Sequence, residues 1–282
     1  MNKAISLVYQ GSPGSFSHAT ALRHCGEHHI FQGKKTFAEV FETLEKGEAT
    51  YGIVPIENSL IGSIYENYDL LGKSNLSIVK EMKTRVELAL IALPDVDIDQ
   101  ITTVFSHTKA LEQCRRFFKK YFHLQATVHT DTGGAVAEVK KRNDSSLGAI
   151  ASTFAAQLYG LTVIQEHLED DLENYTRFVL LSRKNISKIS DIEFKKNHKC
   201  SVSFYLEHKE GALASVLELL AMQGVNLTKI ESRPIQGRAF EYLFYIDFQM
   251  PLDQERQEEM TVIEALQRCV KNLNVLGIYE CY

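Results

Sequence analysis

The sequence predicts an α/β protein of two domains, and three stretches of the chain support this. From residue 1 to about residue 182, short β-rich runs alternate with segments of helical periodicity, as in a largely parallel sheet covered by helices. A polar, lysine-rich stretch follows at 185–199 and is typical of a linker between domains. Beyond it the predicted elements follow the order βαββαβ, which indicates a ferredoxin-like fold over 200–282.

Composition and local patterns exclude several classes of protein. The net charge of −5 disfavours nonspecific nucleic-acid binding, which needs clustered cations. The most apolar stretch, 86–93, is far shorter than the ~20 residues of a transmembrane helix, so we expect no membrane span. The amino terminus lacks the pattern of a signal peptide, and the five cysteines form no CxxC pair. These features predict a cytoplasmic protein with reduced thiols.

In the first domain, polar side chains gather where predicted strands end. Open α/β sheets bind ligands at the carboxyl ends of their strands, because loops and helix amino termini converge there. The glycine-rich turn at 11–15 offers backbone N–H groups to an anion at the start of the next helix. The predicted strands are 4–9, 51–56, 101–106 and 126–130, and the helical segments that follow them are 16–25, 62–71, 107–118 and 132–139.

Patterns for other chemistries are weak. Ser106 is followed by His107, but adjacent residues on a strand point to opposite faces and no G-x-S-x-G turn is present. Cys25 with His28 and His29 is a poor metal pattern and more typical of a solvated helix end. The turn at 11–15 matches no nucleotide-binding signature.

Six segments, in order along the chain, resemble motifs of one enzyme family, the prephenate dehydratases with a phenylalanine-binding ACT domain. The resemblance covers nearly the whole chain. It departs from the family pattern at Ser106-His107-Thr108-Lys109, where the family has SHPQ. The six segments are 51–59 with Gly62 (PIENS), 106–114 (SHPQAL-x-QC), 131–135 (DTAG type), 174–178 (TRF), 211–214 (GALA) and 231–234 (ESRP).

The resemblance also implies an organisation for the chain. We expect a two-lobed catalytic domain resembling periplasmic binding proteins, followed by a ferredoxin-like βαββαβ ACT domain. Since the chain starts directly at the dehydratase strand, we expect no amino-terminal chorismate mutase domain. The expected boundaries are 1–184 for the catalytic domain, with lobe 1 at about 1–79 and 157–184 and lobe 2 at about 80–156, then 185–199 for the linker and 200–282 for the ACT domain.

The implied reaction is the decarboxylating dehydration of prephenate to phenylpyruvate. Gain of aromaticity drives it, so we expect neither a cofactor nor a metal. The resemblance makes Thr176 the candidate catalytic donor to the departing hydroxyl, either directly or through a water. Arg177 either clamps a substrate carboxylate or pairs with Glu173 or Asp171.

The remaining candidate residues come from the same motifs. Asn58 offers an amide for substrate binding and is equally suited to capping a helix. The predicted substrate-binding set is Asn58, Ser59, Ser106, Gln113, Thr132 and Arg177. The predicted set for the effector L-phenylalanine is Gly211, Ala212, Leu213, Ala214, Asn226, Leu227, Glu231, Ser232, Arg233 and Pro234.

In proteins that resemble this chain, ACT domains pair across subunits, so we expect a homodimer or homotetramer. Two alternative functions stay open. The first alternative is that the substrate is arogenate rather than prephenate. The second is that the chain is a non-catalytic, amino-acid-responsive binding protein with two α/β lobes around a cleft.

Overall fold

The computed structural model describes residues 5–184, 198–207, 209–235, 241–249 and 256–281, and only the backbone for 256–261. Contacts within the chain divide it into two compact units. The first comprises 1–67 with 82–179, and the second comprises 68–81 with 180–282. Of the predicted linker, 185–197 lies outside the described residues, and the remaining two residues begin a strand.

The amino-terminal part of the chain alternates strands and helices as predicted. In the first unit, β1 pairs in parallel with both β2 and β3, and β4 forms a short antiparallel pair with β3. These strands form the first sheet of the unit, in the order β11-β3-β1-β2. The elements are β1 (Ser6–Gln10), α1 (Phe16–Cys25), β2 (Ile30–Lys34), α2 (Phe37–Glu45), β3 (Tyr51–Asn58), β4 (Gly62–Ser63), α3 (Tyr65–Lys73) and β5 (Leu76–Arg85), and later in the chain β11 (Tyr175–Arg183).

A second sheet in the same unit has the strand order β10-β6-β9-β7-β8. Its strands β7, β8 and β9 pair in parallel, and β6 and β10 are antiparallel additions. Because β10 pairs with β6, this sheet extends beyond the lobe boundary predicted at 156. The elements are β6 (Ala89–Ala92), a 3₁₀ turn (Ile98–Gln100), β7 (Thr103–Ser106), α4 (Thr108–Glu112), α5 (Arg115–Lys120), β8 (Gln125–Val128), α6 (Thr132–Arg142), β9 (Leu147–Ala151), α7 (Thr153–Tyr159) and β10 (Thr162–Gln165).

The helix predicted over 107–118 is interrupted, and this prediction was wrong. Helix α4 ends at Glu112, with Gln113 as its cap. The carboxylate of Asp170 accepts hydrogen bonds from the backbone N–H groups of Arg115 and Arg116, at 3.0 Å each. It thereby satisfies the free donors at the start of a second helix, α5, and stabilises the break.

The second unit contains an antiparallel sheet with the order β13-β14-β12-β15, in which β15 also pairs with β5. Two helices carry the apolar residues Val216, Leu220 and Leu266 into one core with strand residues such as Phe204 and Phe248. The element order is the predicted βαββαβ. Its elements are β12 (His198–Tyr205), α8 (Ala212–Met222), β13 (Asn226–Pro234), β14 (Tyr242–Gln249), α9 (Arg256–Cys269) and β15 (Lys271–Glu280).

A buried ion pair lies within this second unit. Lys199 Nζ lies 3.0 and 2.8 Å from the two carboxylate oxygens of Glu81.

Among the helices that the structure describes, none has the length and apolarity needed to cross a bilayer.

Candidate active site

The first unit contains a cavity of about 230 Å³, lined by residues of its first sheet and by residues of the loops and helices that follow the strands of its second sheet. The first sheet and its helix α1 contribute polar side chains that include Gln10, Ser15, Asn58 and Thr176. The polar and charged side chains from the second sheet and its helices include His107, Lys109, Gln113, Asp131 and Thr132.

Strand direction brings these residues together. Gln10 ends β1 and Asn58 ends β3, and the two strands are parallel. His107 follows β7 directly, and the segment after the parallel strand β8 leads to Thr132 at the start of α6. The polar ends of parallel strands therefore converge on one cavity, as predicted for ligand sites of open α/β sheets.

Thr176 lies at the cavity wall on β11, with 9 % of its surface exposed. Its Oγ1 accepts a hydrogen bond from Asn58 Nδ2 at 3.0 Å. Asn58 cannot rotate its amide, because its Oδ1 accepts from the backbone N–H groups of Leu60 and Ile61, at 3.1 and 3.2 Å. The threonine oxygen is thus occupied as an acceptor, and its hydrogen remains available to donate.

Asn174 continues this network towards the second sheet. Its Oδ1 accepts from Asn58 Nδ2 at 2.8 Å, and its Nδ2 donates to Gln113 Oε1 at 2.9 Å. Asn174 is fully buried, whereas Gln113 reaches the cavity at the end of α4. A chain of side-chain amides thereby joins Thr176 to a residue of the second sheet's helices.

Arg177 follows Thr176 on β11 and does not line the cavity in the structure. Its Nη1 donates to Glu57 Oε2 at 3.2 Å, so the pair joins β11 to the end of β3. The predicted partners were a substrate carboxylate, Glu173 or Asp171. Alternation along the strand turns Arg177 away from the side chain of Thr176.

Ser59 and Ser106 were predicted to bind substrate, but the structure does not place them among the residues that line the cavity. Ser59 Oγ donates to the carbonyl of Glu173 at 2.8 Å and accepts from the N–H of Tyr175 at 2.9 Å. Ser106 is fully buried and donates to the carbonyl of Ile150 at 2.6 Å. Both hydroxyls therefore hold backbone segments together.

Asp131 caps the helix that begins at Thr132 and also contacts the glycine-rich turn after β1. Its Oδ1 accepts from the N–H of Gly134 at 2.8 Å, and its Oδ2 accepts from Ser12 Oγ at 2.9 Å. Tyr159 reinforces this contact by donating from its hydroxyl to the carbonyl of Pro13 at 3.0 Å. The turn is thus held against α6 and α7 at one edge of the cavity.

Sequence reasoning missed three residues of the cavity that bear on its charge, namely Lys109, His107 and Asp131. Among the described residues that line the cavity, Lys109 carries a positively charged ammonium. This ammonium also pairs with the Glu112 carboxylate at 2.9 Å, on an exposed face of the chain. Its signal was present, because Lys109 stands where the family motif has glutamine. His107 also lines the cavity, and burial lowers its pKa. The Asp131 carboxylate opposes this shift and the Lys109 ammonium adds to it, so that the net effect favours the neutral imidazole.

The predicted effector residues lie in two parts of the second unit. Gly211 has a φ of +75° and precedes α8, where only glycine is unstrained. Ala212 and Leu213 line a cavity of about 150 Å³ together with Tyr242 and Phe244. Ala214 also lies on α8, and the other six predicted residues lie on β13, namely Asn226, Leu227, Glu231, Ser232, Arg233 and Pro234.

Contacts on β13 engage two of those side chains. Arg233 donates from Nη1 to Asp69 Oδ1 at 2.6 Å, and Glu231 lies 3.5 Å from the ammonium of Lys229. The described residues around the 150 Å³ cavity include none from β13. The structure therefore brings the two motifs into one unit but not into one cavity.

Comparison with known proteins gives a consistent picture across the chain. The family model for prephenate dehydratase matches residues 7–186. A bifunctional chorismate mutase/prephenate dehydratase of Enterobacter agglomerans is 33 % identical over 279 residues, covering 98 % of this chain and 70 % of the relative. Arogenate dehydratase/prephenate dehydratase 2 of Arabidopsis thaliana is 35 % identical over 284 residues, covering 98 % and 72 %.

Two solved structures are similar over nearly the full length. A prephenate dehydratase of Arthrobacter aurescens, in complex with L-Phe, has a TM-score of 0.86 at 26 % identity, covering 98 % of this chain and 90 % of the other. A protein described as a quorum quenching acylase, GqqA, also has a TM-score of 0.86 at 26 % identity, with 98 % of both chains covered. From the matched family model and relatives, the chain belongs to the prephenate dehydratase family, whose named members are lyase-type enzymes.

Proposed function

We propose that this chain converts prephenate to phenylpyruvate and that Thr176 donates a hydrogen bond to the departing ring hydroxyl. One observation carries the proposal. The Thr176 oxygen accepts from Asn58, so its hydrogen is the part of the hydroxyl left to act in the cavity. A neutral donor assists departure of the hydroxyl without adding a cation that would hold back the carboxylate to be lost.

The reaction balances without an oxidant or reductant. The ring carbon–oxygen bond breaks, and the hydroxyl leaves as water after gaining one proton. The bond to the ring carboxylate breaks at the same time and supplies the electron pair that completes the aromatic ring, releasing carbon dioxide. Since a threonine hydroxyl is a very weak acid, the proton ultimately comes from solvent, and Thr176 supplies alignment and partial charge stabilisation.

The cavity also suits a ligand that is part anion and part ring. Lys109 and the amide of Gln113 lie on the side of the second sheet, where they complement a carboxylate. Phe178, Val86 and Ile64 supply apolar walls for the ring. Holding both parts of the substrate lowers the entropic cost of reaching the reactive geometry.

Arogenate is the second candidate substrate. It differs from prephenate by carrying an amino group in place of the side-chain keto group. Relatives of this chain are named arogenate dehydratase/prephenate dehydratase, and Asp131 supplies a carboxylate at the cavity that complements an ammonium. The Ser106–His107 pair offers no exposed nucleophile for acyl transfer, because Ser106 is buried and its hydroxyl donates to a backbone carbonyl.

The decisive experiment is a direct assay of the purified chain with prephenate and, in parallel, with arogenate. Formation of phenylpyruvate, measured by its absorbance in alkali against enzyme-free blanks, supports the proposal. Formation of phenylalanine from arogenate alone changes the substrate. Absence of both products while prephenate still binds, measured by calorimetry, favours a binding protein and contradicts an enzymatic role.

We propose further that residues 200–282 form an ACT domain that binds L-phenylalanine. The βαββαβ order, the position of Gly211 before α8 and the cavity lined by Leu213, Tyr242 and Phe244 support this. A helix amino terminus suits the carboxylate of an amino acid, and the apolar lining suits its ring. Saturating phenylalanine is expected to lower the rate of prephenate turnover. Calorimetric binding with no change in rate would contradict regulation while retaining the site.

We infer a homodimer or homotetramer assembled partly through the second unit. In the described sheet of that unit, β13 is an edge strand, and such edges favour pairing with another chain. Light scattering coupled to size-exclusion chromatography, with and without phenylalanine, tests this. A monomer at micromolar concentration under both conditions would contradict it.

The cysteines support a cytoplasmic location, which we also propose. All five are thiols rather than members of disulfides, and three of them are buried. Free thiols persist in reducing compartments. Fractionation of the source cells with an antibody against the chain tests the location, and recovery outside the cytoplasmic fraction would overturn it.

A further inference from the structure

The amide of Asn58 has only one chemically sensible orientation. Two backbone N–H groups, those of Leu60 and Ile61, point at one side of it. Only the carbonyl oxygen accepts hydrogen bonds, so Oδ1 must occupy that side. The NH₂ group must then face Asn174 Oδ1, Thr176 Oγ1 and the backbone carbonyl of Tyr175, at 2.8, 3.0 and 3.1 Å.

This orientation is passed along the chain of amides. Because Asn58 presents a donor, the atom of Asn174 opposite it must be Oδ1. Asn174 then has only its NH₂ group to offer to Gln113, and the atom of Gln113 that receives it must be Oε1. Asn174 therefore engages the Oε1 end of the Gln113 amide and does not engage its Nε2 end. Two backbone groups of the β3–β4 turn thus determine the polarity of three side chains.

The same polarity gives the cavity two donors. Thr176 accepts from Asn58 and keeps its hydrogen, while Gln113 accepts from Asn174 and keeps its NH₂ group. Both residues line the cavity, Thr176 from β11 of the first sheet and Gln113 from the end of α4. Hydrogen-bond donors at both positions suit a ligand that has a carboxylate and a departing hydroxyl. If the amides were reversed, oxygen atoms would face this anionic ligand and repel it.

We propose that Asn174 is a positioning residue that fixes the amide of Gln113 as a donor to the side-chain carboxylate of the substrate, the one that the product keeps. It does not touch the cavity, and it lies fully buried between the two residues that it connects. Burial matters because a reversed amide would place donor against donor with no water to compensate. The proposal rests on the proposed function, since it assigns Gln113 to the prephenate carboxylate.

Replacement by aspartate tests the polarity, because a carboxylate has two acceptor sides. In Asn174→Asp the contact with Asn58 survives, but Gln113 must turn its NH₂ group inward and present Oε1 to the cavity. We expect KM for prephenate to rise about 10- to 100-fold at pH 8, as when a hydrogen bond to a charged group is lost. The value of kcat is expected to change less, because Thr176 keeps its donor from Asn58.

Asn58→Asp is the matched control, with the same charge one step earlier in the chain. One oxygen of the new carboxylate accepts from Leu60 and Ile61, and the other draws the hydrogen of Thr176 away from the cavity. Asn174 and Gln113 reverse as well. We therefore expect both a higher KM and a kcat lowered about 100-fold or more. If the two variants showed the same fall in kcat and the same rise in KM, the proposal would be overturned, because the added charge alone would explain both effects.

The pH profile separates polarity from structural damage. A buried aspartic acid has a raised pKa, and once protonated its OH donates to Gln113 as the asparagine did. KM of Asn174→Asp is therefore expected to fall towards the wild-type value as the pH is lowered from 8 to 6, with the wild type and enzyme-free blanks measured at each pH. A KM that stays high throughout would contradict the proposal.

A second measurement needs neither folding of the aspartate variant nor turnover. The wild-type chain is labelled with ¹⁵N-glutamine, and the Gln113 side-chain signal is assigned by its loss in Gln113→Met. Addition of phenylpyruvate, whose carboxylate and ring resemble those of the substrate, is expected to shift that NH₂ signal. A signal unchanged at saturation overturns the assignment of Gln113 as the donor. Turnover of prephenate by the wild type tests the proposed function separately.

Discussion

Asp131 Oδ2 lies 2.9 Å from Ser12 Oγ, while its Oδ1 caps α6 at 2.8 Å from the N–H of Gly134. One carboxylate thereby joins the turn after β1 to a helix of the second sheet. We expect Asp131→Ala to lower the free energy of unfolding by about 1–3 kcal/mol, from a lost cap and a lost charge-assisted bond. Urea denaturation measures this.

Ser12→Ala is the control for that change, because it removes the hydroxyl contact with Asp131 and leaves in place both the cap and the backbone N–H of residue 12, which lies 3.3 Å from Asp131 Oδ2. It is expected to cost about 0.5–1.5 kcal/mol. An equal loss in both variants would mean that capping by Asp131 contributes little.

Thr176 gives the most direct prediction about catalysis. Thr176→Val keeps the branched shape but removes the hydroxyl, so kcat for prephenate is expected to fall about 100- to 1000-fold. Thr176→Ser retains a donor beside Asn58 and is expected to keep most of the rate. Steady-state kinetics check both, and an active Thr176→Val would remove the hydroxyl from the mechanism.

Lys109 is expected to act on binding rather than on the chemical step. Lys109→Gln removes a positive charge from the residues that line the cavity. KM for prephenate is therefore expected to rise about 10- to 100-fold, with little change in kcat. The wild-type KM should increase with salt more steeply than that of the variant, because salt screens the attraction. Lys119→Gln, at an exposed position on α5, is the control and should leave KM unchanged.

Gly133 is required by close packing. A Cβ at this position would lie 2.5 Å from the carbonyl oxygen of Pro13 and 2.6 Å from the nitrogen of Ser15, both backbone atoms. We expect Gly133→Ala to destabilise the chain by about 1–3 kcal/mol through overpacking. Gly72→Ala, in α3, meets only a tyrosine hydroxyl at 3.4 Å and is expected to be neutral or stabilising. Thermal denaturation distinguishes the two variants.

Two buried tyrosines predict a loss of stability in alkali. Burial raises the pKa of Tyr9 to about 12, with Tyr159 and Asp131 adding to the effect, and burial likewise raises the pKa of Tyr245 to about 12. An unfolded tyrosine ionises near pH 10, so the folded chain retains protons that the unfolded chain loses between about pH 10 and 12. Stability contributed by these phenols is therefore complete below pH 10 and declines above it.

Absorbance titration of the phenolate at 295 nm checks this prediction. Tyr9→Phe and Tyr245→Phe should each remove one late-titrating group and weaken the decline of stability in alkali. Ionisation of all twelve tyrosines near pH 10 while the chain stays folded would contradict it.

Much of the fold could be predicted because its signals are local. The helix Phe16–Cys25 was predicted with the bounds that the structure shows, since a glycine-rich turn precedes it and Ser15 caps it. The βαββαβ order after residue 198 likewise follows from alternation and helical periodicity. The break at Gln113 could not be predicted, because the Asp170 carboxylate that stabilises it comes from 55 residues further along the chain.

The sequence by itself determined the family and the βαββαβ order of the second domain, and it singled out Thr176, Asn58, Gln113 and Thr132, which the structure places at the cavity. These follow from short motifs and from strand ends, which are properties of neighbouring residues. Only the tertiary structure decided that Ser59 and Ser106 bond to backbone, and that Asn174 connects Gln113 to Asn58. Hydroxyls and amides bind whichever partner the fold places within about 3 Å, and that partner is set by packing between distant segments.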